Sequence, residues 1–446
     1  MPKTMPTIPT KAKAHPTKAF FVRMLTRDIS AHECALDLID NSIDAAWAAT
    51  GVAPGSLGVG RKLAKYRINL TVTKERFVIS DNCGGMSLEN AAQYAFTFGR
   101  DTLEGGNNYS VGVYGIGMKR AIFKLGTDIV VRSTYKGEQP FEVPINVGSW
   151  LAETSEVWDF NIKPSDPLPE PGVEISVPTL TSESAATFGD PGFPNALRAA
   201  IARDYMLPLM QGLTISVNDS QVEGWKIDFM EGADFAPMRD SYSDGEVSVE
   251  ILAGMFEPPP DSNEPTRTRD DKSGWYVICN GRVVVAANRS PTTVWDRDRF
   301  PAWHAQYHGF IGVALLTSKR PELLPMTTTK SGVDTSLASY RRVQARMEAP
   351  TRAWIDYTNA RKTRKEAARE LERSAKPVHI SDVKVRGALK VPAEIGEQSR
   401  EANILYSKPI EQVRALGKAL GRATMAYREV GSRAFDYAYA RLVSEQ

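Results

Sequence analysis

The sequence predicts an α+β protein in which two α/β units are followed by a mainly helical region. Residues 19–50 place apolar side chains at helical spacing. Residues 67–80 alternate on both sides of a Lys-Glu-Arg turn, as the two strands of a hairpin do. Residues 193–206 return to helical periodicity and residues 213–218 read as a strand, so helices and strands are mixed along the first unit.

Changes of pattern divide the chain into four predicted regions. A second α/β unit begins near Trp225, and helical, basic sequence begins near Tyr340. We therefore predict an arm at residues 1–18, a first α/β domain at 19–222, a second α/β domain at 223–340 and a mainly helical C-terminal region at 341–446. The smaller predicted elements are a short helix near 87–98, strands at 128–134, 173–178, 248–253, 275–279 and 310–316, a Pro-rich loop at 257–274, a solvated helix at 362–374, a linker at 376–403 and helices within 407–443.

Composition excludes several classes of protein. Hydrophobic residues make up 42% of the chain and charged residues 24%, which are proportions of a globular protein rather than a disordered or fibrous one. The chain has no apolar run long enough to span a bilayer, and the N-terminal segment lacks the apolar core of a signal peptide. Cys34, Cys83 and Cys279 show neither zinc spacing nor a disulfide framework. We therefore expect a cytoplasmic protein without a membrane segment.

The net charge of +2 conceals an uneven distribution. Residues 341–446 hold 22 Lys and Arg against 13 Asp and Glu, a balance of +9, so the remainder of the chain carries −7. A basic region beside an acidic body indicates a polyanionic or acidic partner, or else a long solvated helical face without a binding role. The sequence leaves both interpretations open.

The first group of candidate functional residues lies on the helix predicted at 19–50. The segment Asp-Leu-Ile-Asp-Asn-Ser-Ile-Asp-Ala-Ala starts at Asp37, and Asp37 and Asn41 are one helical turn apart on one face. An amide oxygen is a hard ligand that suits Mg²⁺, and a carboxylate beside it can accept a proton from an attacking water. Such pairs also occur on solvated faces, but the apolar flanks of this one indicate a packed helix.

The second group directly follows a predicted strand, in the segment Ile-Ser-Asp-Asn-Cys-Gly-Gly-Met. A carboxylate at a strand end is aimed by a rigid element, so Asp81 is placed to accept a hydrogen bond from an exocyclic amine such as that of adenine. Gly84 and Gly85 allow backbone to approach a flat ligand closely, and Met86 follows them. The alternative is an ordinary Asp-Asn-Gly turn without a ligand.

The third and fourth groups are a glycine-rich segment and a distant lysine. Gly112, Gly115 and Gly117 precede an apolar helix, and glycines before a helix N-terminus leave N–H groups free to bind phosphate. The segment lacks the Gly-Lys-Ser/Thr ending of a Walker loop. Lys330, in Met-Thr-Thr-Thr-Lys-Ser-Gly, can reach a phosphate as a point charge, or it can be an ordinary exposed loop lysine.

Together these four segments resemble the GHKL superfamily of ATPases, which includes DNA gyrase B, the heat-shock chaperone of that superfamily, histidine kinases and MutL. The resemblance is strongest over residues 19–180, where the motifs stand in the order and spacing of the superfamily. Leu-Ile-Asp-Asn-Ser-Ile-Asp-Ala and Gly-Val-Tyr-Gly-Ile-Gly-Met-Lys look most similar to microrchidia (MORC) ATPases and their prokaryotic relatives. The resemblance implies a Bergerat-type α/β sandwich ATPase domain, an α/β transducer-like domain of the ribosomal S5 type and then the helical region.

The resemblance also implies ATP and Mg²⁺ as ligands, with a role for each matching residue. Asn41 would hold Mg²⁺, Asp37 would be the general base, and Asp81 would bind the adenine amine. Lys330 would contact the γ-phosphate and report it to the second domain. The remaining implied residues are Gly84, Gly85 and Met86 at the adenine, Gly112, Gly115, Ile116, Gly117, Met118 and Lys119 at the phosphates, and residues 99–111 as the ATP lid.

Two positions depart from the superfamily pattern. The catalytic carboxylate is usually Glu, and Asp37 is shorter by about 1.5 Å of reach. Misplacing a base by about 1 Å costs on the order of 100-fold in rate, so we expect slow hydrolysis and keep a binding-only switch as the alternative. A Gly-Thr pair is usual where this chain has Gly172 and Val173, and Val173 has no hydroxyl for the adenine. Ser80 is a candidate replacement, and Glu33 is predicted to be a surface charge.

The partners that the resemblance implies are those of an ATP-operated clamp. In gyrase, MutL and MORC proteins ATP drives N-terminal dimerisation, so we expect an ATP-dependent homodimer coupled to DNA or to a partner protein through residues 341–446. The alternatives are a nucleotide-sensing scaffold and a chaperone-like client binder, and bacterial defence is an analogy only. The aromatic residues among the basic ones favour core over nucleic-acid binding: Trp354, Tyr357, Tyr406, Tyr427, Phe435, Tyr437 and Tyr439.

Overall fold

A mixed β-sheet packed with helices forms the first half of the protein. The computed structural model describes residues 17–55, 57, 60–97, 109–112, 115–153, 158–261, 272–298, 300–393, 395, 404, 406–422 and 424–443. In chain order the elements of this half are α1 (Lys18–Arg27), α2 (Ala31–Thr50), β1 (Arg67–Val72), β2 (Phe77–Asp81), α3 (Leu88–Asn90) with a π-helical turn (Ala91–Ala95), α4 (Gly117–Leu125), β3 (Gly126–Thr134), β4 (Phe141–Asn146), α5 (Val147–Ala152), β5 (Lys163–Pro164), β6 (Gly172–Leu180), α6 (Ser182–Phe188), α7 (Phe193–Asp204), α8 (Met206–Met210), β7 (Thr214–Val217) and β8 (Ser220–Gln221).

Within these described residues, eight strands form one sheet in the order β5-β4-β3-β6-β2-β1-β7-β8. β1 and β7 run parallel, whereas the hairpin β1–β2 and the pairs β2–β6 and β3–β6 are antiparallel. α2 packs against α4, and their apolar side chains share one core with the strands. The predicted α+β fold, with helices layered on a mixed sheet, is confirmed.

The helical pattern at residues 19–50 is two helices rather than one. α1 ends at Arg27, and Ser30 is the N-cap of α2. The Ser30 hydroxyl accepts the Glu33 N–H, and the Glu33 carboxylate accepts the Ser30 N–H at 2.8 Å. This capping box satisfies N–H groups that have no partner at a helix start. The prediction of one continuous helix is therefore wrong at residues 28–30, and Glu33 caps the helix instead of being a plain surface charge.

A second sheet and a long helix form the next part of the chain. The elements are β9 (Asp228–Glu231), β10 (Met238–Asp244), β11 (Val247–Met255), β12 (Gly274–Cys279), β13 (Arg282–Asn288), β14 (Phe310–Thr317), α9 (Ala338–Arg361), α10 (Lys365–Ser374) and β15 (Lys376–His379). In the described residues, five strands are ordered β10-β11-β14-β12-β13, with β12 and β14 parallel, and β15 pairs with β9. α9 packs against β11 and β14.

The sequence analysis missed β13, although a signal for it is present. Asn280 and Gly281 both have positive φ, at 46° and 85°, and they connect β12 to β13 as a two-residue hairpin loop. Asn-Gly between apolar runs is a strong hairpin signal because both residues tolerate the left-handed conformation. The hairpin matters because β13 carries Arg282 towards α2, as described below.

The structure moves the C-terminal boundary. Two compact units divide the chain after Gly396, whereas the predicted boundary at 340/341 falls inside α9. The predicted linker at 376–403 is wrong over its first part, because β15 pairs with β9 and the side chains of Ile380 and Val383 are buried. The predicted solvated helix, α10, also buries Glu372, which forms ion pairs with Arg361 of α9.

This assignment also accounts for the positive charge of the predicted C-terminal region. Of its 22 Lys and Arg, only eight lie in the separate unit, residues 397–446. Five of the other fourteen pair with acids that precede them in the larger unit: Arg342 with Asp244, Arg346 with Asp240, Arg361 and Arg369 with Asp261, and Arg386 with Glu231. The charge asymmetry of the sequence is therefore in part an internal complementarity.

The separate unit contains two helices, α11 (Ile410–Ala419) and α12 (Tyr427–Leu442). Gly417, Met425 and Val430 are buried between them. Five aromatic side chains are each more than half exposed: Tyr406, Tyr427, Phe435, Tyr437 and Tyr439. The prediction of core is thus confirmed for Trp354 and Tyr357, and it is wrong for these five. In the described part of the chain, no helix has the length and apolar character needed to cross a membrane.

Candidate functional site

Helix α2 carries three buried carboxyl groups on an otherwise apolar helix. Asp37, Asp40 and Asp44 are each less than a tenth exposed, and α2 packs its apolar residues into the core of the first half. A buried carboxylate without a partner is costly, so the partners of these acids define the site. Asn41, in contrast, is exposed towards a cavity that α2 lines.

This cavity, the front cavity, has a volume of about 690 Å³ and brings the predicted residues together. Its wall is built from α2, the end of β2, the start of α4 and the loop before Lys330. The predicted residues that line it are Asp37, Asn41, Asp81, Gly84, Gly85, Met86, Gly112, Gly115, Ile116, Gly117, Met118, Lys119 and Lys330. Residues 99–108 of the predicted lid, and Val113 and Tyr114, lie outside the described residues.

Asp37 lies between two cations. Arg120 Nη2 donates to its Oδ2 at 2.6 Å, and Lys330 Nζ donates to its Oδ1 at 3.1 Å. Burial raises the pKa of Asp37, but the positive charges of Lys330 and Arg120 outweigh it and hold the pKa below its usual value. Asp37 is therefore an ionised acceptor, and it is a weak base for as long as both cations stay in place.

Lys330 reaches this site from the loop after β14. Its backbone is left-handed, with φ of 55°, and its N–H donates to the Thr327 carbonyl in a tight turn. Its Nζ also donates to Oδ2 of Asp40 at 2.8 Å. Burial lowers the pKa of Lys330, but the charges of Asp40 and Asp37 raise it overall, so the ammonium stays charged. One lysine thus connects two carboxylates of α2 to the second half of the protein.

Asp81 is held by donors on three sides. Ser42 Oγ donates to its Oδ2 at 2.6 Å, and the N–H groups of Cys83 and Val173 donate to its Oδ1. Burial raises its pKa, and these hydrogen bonds oppose the rise. The hydroxyl beside Asp81 belongs to Ser42 and not to Ser80, which was the sequence-based candidate. Val173 contributes its backbone N–H where its side chain has no hydroxyl to offer.

Two glycines permit close backbone packing around Asp81. A Cβ on Gly172 would lie 1.8 Å from the carbonyl oxygen of Asp81, and a Cβ on Gly85 would lie 2.1 Å from that of Thr134. Real side chains do not tolerate such distances, so β2, β3 and β6 can meet here only through glycine. Gly85 also has a φ of 78°. Gly85, which the sequence assigned to ligand approach, therefore has a structural task as well.

The start of α4 faces Asp37. A Cβ on Gly117 would lie 3.6 Å from Cγ of Asp37, and Gly115 has a φ of 64°. In the described residues no side chain caps α4 at Ile116, so N–H groups of its first turn remain available to an anion. The Lys119 side chain is buried and donates to the Ala95 carbonyl at 2.9 Å, so this residue can serve phosphate through its backbone.

Asp44 and Asn280 hold the segment that precedes the glycines. Asp44 accepts the N–H groups of Val111 and Gly112, at 2.9 to 3.1 Å. Burial raises the pKa of Asp44 to about 7, although these hydrogen bonds oppose the rise. Asn280 Nδ2 donates to the Ser110 carbonyl at 3.1 Å. The stem of the predicted lid is therefore bound both by α2 and by the β12–β13 turn.

The site fits a magnesium–nucleotide complex better than a metal held by protein alone. In the described residues, no group of three or more His, Cys, Asp or Glu side chains could hold a metal ion. Asn41 presents an amide oxygen to the cavity, and a Cβ on Gly112 would lie 3.9 Å from that oxygen, so the glycine keeps the space beside it open. Mg²⁺ is commonly bound by one or two protein oxygens together with substrate phosphates.

Comparison with known families agrees with this geometry. Residues 29–156 match the family model described as histidine kinase-, DNA gyrase B- and HSP90-like ATPase. This segment is therefore similar to the ATPase domains of the GHKL type. The match supports ATP binding, and it covers α2, β2 and the glycine segment that line the front cavity. No curated protein matches the chain significantly.

Several site residues come from outside the segment that matches the ATPase family. Lys330 and Asn280 are two of them, and Arg282 is a third. Arg282 lies over the Tyr205 ring at 4.4 Å, and its Nη2 is 3.5 Å from Oδ2 of Asp204. Tyr205 in turn donates to Oδ1 of Asp40 at 2.9 Å. Two carboxylates of α2, Asp37 and Asp40, therefore have cations from the second half of the chain as partners.

Sequence reasoning missed several residues that the structure places in or beside the site, and Asn280 is one of them. Asp40 and Asp44 stand inside the quoted motif, but their spacing gave no partner for them. Ser42, Arg120 and Arg282 were passed over because a hydroxyl or a guanidinium beside an acid has no local pattern. Arg120 directly follows Lys119, so its position beside the glycine segment was the available signal.

Proposed function

We propose that the chain binds Mg²⁺ and ATP in the front cavity, hydrolyses ATP slowly and uses the nucleotide to switch conformation and dimerise. The observation that carries the proposal is the convergence of Asp37, Asn41 and Lys330 on one cavity with Asp81. Within the superfamily, the two motif segments favour MORC ATPases and their prokaryotic relatives as the nearest group. Each residue has a chemical task in this scheme.

Asp81 accepts a hydrogen bond from the adenine amine, and Ser42 fixes the carboxylate for that purpose. The Ser42 contact occupies Oδ2, and two backbone N–H groups contact Oδ1, so the orientation of the carboxylate is set before a nucleotide arrives. Preorganised acceptors lose less entropy on binding. Met86 packs near the base, and Gly84 and Gly85 leave room for it.

The phosphates bind at the glycine segment and the first turn of α4. Gly115 and Gly117, with the backbone of Ile116, Met118 and Lys119, supply N–H donors without side chains in the way, while Gly112, whose N–H is bound by Asp44, borders the phosphates. Asn41 holds Mg²⁺, which neutralises phosphate charge in the transition state. The magnesium ion is therefore expected to be required for turnover.

Hydrolysis requires a water aimed at the γ-phosphorus. Asp37 orients this water and accepts its proton, the water oxygen bonds to phosphorus, and the β,γ-bridging oxygen leaves with ADP. Lys330 stabilises the negative charge of the transferred group. Its ion pairs with Asp37 and Asp40 indicate that it exchanges carboxylate partners for the γ-phosphate when ATP binds.

Slow turnover follows from the environment of Asp37. The side chain is one methylene shorter than Glu, and Arg120 and Lys330 hold its pKa low. Both features weaken a general base. The alternative, a nucleotide-sensing scaffold with little hydrolysis, rests on the same observation. A chaperone-like client binder has less support, because residues 225–330, where described, expose no large apolar side chain.

Partner binding is the least constrained part of the proposal. The aromatic side chains exposed on α12 and at Tyr406, with Arg and Lys among them, are candidates for contact with DNA or a partner protein. A DNA role predicts affinity that falls steeply with salt and is lost on deletion of residues 397–446. Retained DNA affinity after that deletion would exclude this unit as the binding site.

The experiment that tests the function combines nucleotide binding, phosphate release and oligomeric state. We expect the wild type to bind ATP with Mg²⁺, to release phosphate slowly and to dimerise with a non-hydrolysable ATP analogue. Asn41→Ala should lose all three properties. Asp37→Ala should keep binding and dimerisation and lose turnover, whereas an unchanged rate would favour the scaffold. If the wild type does not bind ATP, both the ATPase hypothesis and the scaffold hypothesis are wrong.

A further inference from the structure

The Asp37–Lys330 ion pair lies on the walls of two cavities. One is the front cavity, and the other, the rear cavity, has a volume of about 510 Å³. The rear cavity lies between the start of α2, the end of α7, β13 and the loop at residues 329–333. Asp37 and Lys330 contribute to both walls, so this pair forms part of the partition between the two spaces.

Two arginine side chains, Arg282 and Arg203, line the rear cavity. Arg282 is 5% exposed, and its Nη1 and Nε have no hydrogen-bond partner among the described residues, although Nε lies 3.8 Å from Oδ1 of Asp40. Buried polar groups are nearly always hydrogen-bonded, so such donors call for a ligand or water. Arg203 has a side chain that is 41% exposed, and its Nε pairs with Asp204. The hydroxyls of Thr329 and Ser331 line the cavity near its exposed side.

The acids of the rear cavity already have partners. Glu33 accepts hydrogen bonds from Ser30, and Asp37 is bound by Arg120 and Lys330. Asp204 accepts from Arg203 at 2.6 Å and lies 3.5 Å from Arg282. An anion that enters therefore meets two carboxylates that are paired with cations, Asp37 and Asp204, and one, Glu33, that is hydrogen-bonded to Ser30 at the edge of the cavity.

We propose that the rear cavity is a binding site for inorganic phosphate and the path by which it leaves the site of ATP hydrolysis. The inference rests on the proposed function. The γ-phosphoryl group is cleaved at Asp37 and Lys330, and when this pair separates, the product phosphate passes directly into the rear cavity. Arg282 and Arg203 bind it there as a charge-assisted oxyanion site. ADP remains at Asp81 on the other side of the partition.

The decisive variant obstructs the rear cavity without altering the front one. Ala286 lies on β13, lines the rear cavity and takes no part in the chemistry. In Ala286→Trp, single-turnover cleavage of ATP, measured by acid quench, should match the wild type. Release of phosphate, followed with a fluorescent phosphate-binding protein, should slow about tenfold, a barrier increase near 1.4 kcal/mol. Ala360→Trp, an exposed site on α9 that lines neither cavity, is the matched control.

The two time courses separate failure of the inference from failure of the function. If Ala286→Trp cleaves ATP and releases phosphate without delay, the rear cavity is not the exit path, and the proposed ATPase function is unaffected. Equal slowing of cleavage and release would also overturn it, because the substitution would then act on the chemistry. Absence of cleavage by the wild type would overturn the hydrolytic function itself.

A second variant keeps the proposal testable if Ala286→Trp does not fold. Arg203 is partly exposed, so Arg203→Gln should leave the fold intact. We expect inorganic phosphate to inhibit it about fivefold more weakly than the wild type, because one charged donor is lost. Its KM for ATP should stay unchanged, and Arg203→Lys should restore part of the inhibition. Unaltered phosphate inhibition in Arg203→Gln would refute the site.

Discussion

Lys330 and Asp40 stand 290 positions apart in the sequence, yet Nζ of the lysine lies 2.8 Å from Oδ2 of the aspartate. The same ammonium lies 3.1 Å from Oδ1 of Asp37. Two carboxylates of α2 therefore share one cation from the second half of the chain. Any ligand that competes for this cation changes the contact between the two halves, which is the physical requirement for a nucleotide-operated switch.

We expect Lys330→Ala to remove most turnover. Without the ammonium, the transferred phosphoryl group loses a charged contact that is worth on the order of 100-fold in kcat. ATP affinity should fall less, because Asn41, Asp81 and the glycine segment remain. Steady-state kinetics and nucleotide titration measure the two effects. Lys319→Ala, at an exposed lysine of the same half, is the control, and equal losses in both variants would contradict the role of Lys330.

Asp81→Asn should weaken ATP binding and relax the choice of base. The amide can present an N–H to the adenine amine instead of an acceptor, so we expect affinity to fall about tenfold or more. Ser42→Ala should produce a smaller loss, since it removes one hydrogen bond that orients the carboxylate. Calorimetric titration with ATP and GTP gives both values. Asp166→Asn, at an exposed position, should bind ATP as the wild type does.

The burial of Asp44 leads us to expect that the stability of the protein depends on pH. Burial raises its pKa to about 7, above the value of about 3.9 for an exposed Asp. Its contribution to stability is therefore fully present below about pH 4 and is lost as pH rises through about 7. Between about pH 5 and about pH 8 the wild type should lose stability relative to Asp44→Asn. Thermal unfolding of both proteins across this range tests the sign, and parallel curves would contradict it.

Glu372→Ala should destabilise the larger unit. Glu372 is 1% exposed, and it accepts hydrogen bonds from Tyr357 and from Arg361 Nε, the latter at 2.6 Å. Removing it leaves a buried guanidinium without its main partner, at a cost of about 3 kcal/mol. Chemical unfolding measures the loss, and Glu372→Gln should be milder because it keeps hydrogen-bond acceptors. A change confined to residues 397–446 would contradict the placement of α10 in the larger unit.

Truncated chains distinguish the boundary after Gly396, which the structure shows, from the boundary at 340/341, which the sequence predicts. A chain that ends at Gly396 keeps α9, α10 and β15 and should retain the ATP affinity of the full chain. A chain that ends at Tyr340 loses Trp354 and Tyr357 from the core and should fail to fold cooperatively. Circular dichroism and ATP titration of both proteins provide the test. Equal stability of the two truncated chains would support the boundary at 340/341 instead.

The sequence by itself determined the features of the site that depend on neighbours in the chain. Asp37 and Asn41 share a face because the α-helix repeats every 3.6 residues, and Asp81 ends a strand because the hairpin pattern ends there. The glycines before α4 were recognisable because few other residue types leave the backbone before a helix so unobstructed. The resemblance then joined these segments into one expected site, and its candidate binding residues from Asp37 to Lys330, without the lid residues 99–108, line the front cavity.

Only the tertiary structure decided which charges meet. Arg120 pairs with Asp37, and Ser42 rather than Ser80 supports Asp81. Arg342 and Arg346 of α9 pair with acids of β10. The rear cavity behind Asp37 exists because β13 and the Lys330 loop dock against α2. The physical reason is common to these cases. Ion pairs, hydrogen bonds between distant side chains and cavities depend on how separate elements pack, and local sequence patterns carry no record of that packing.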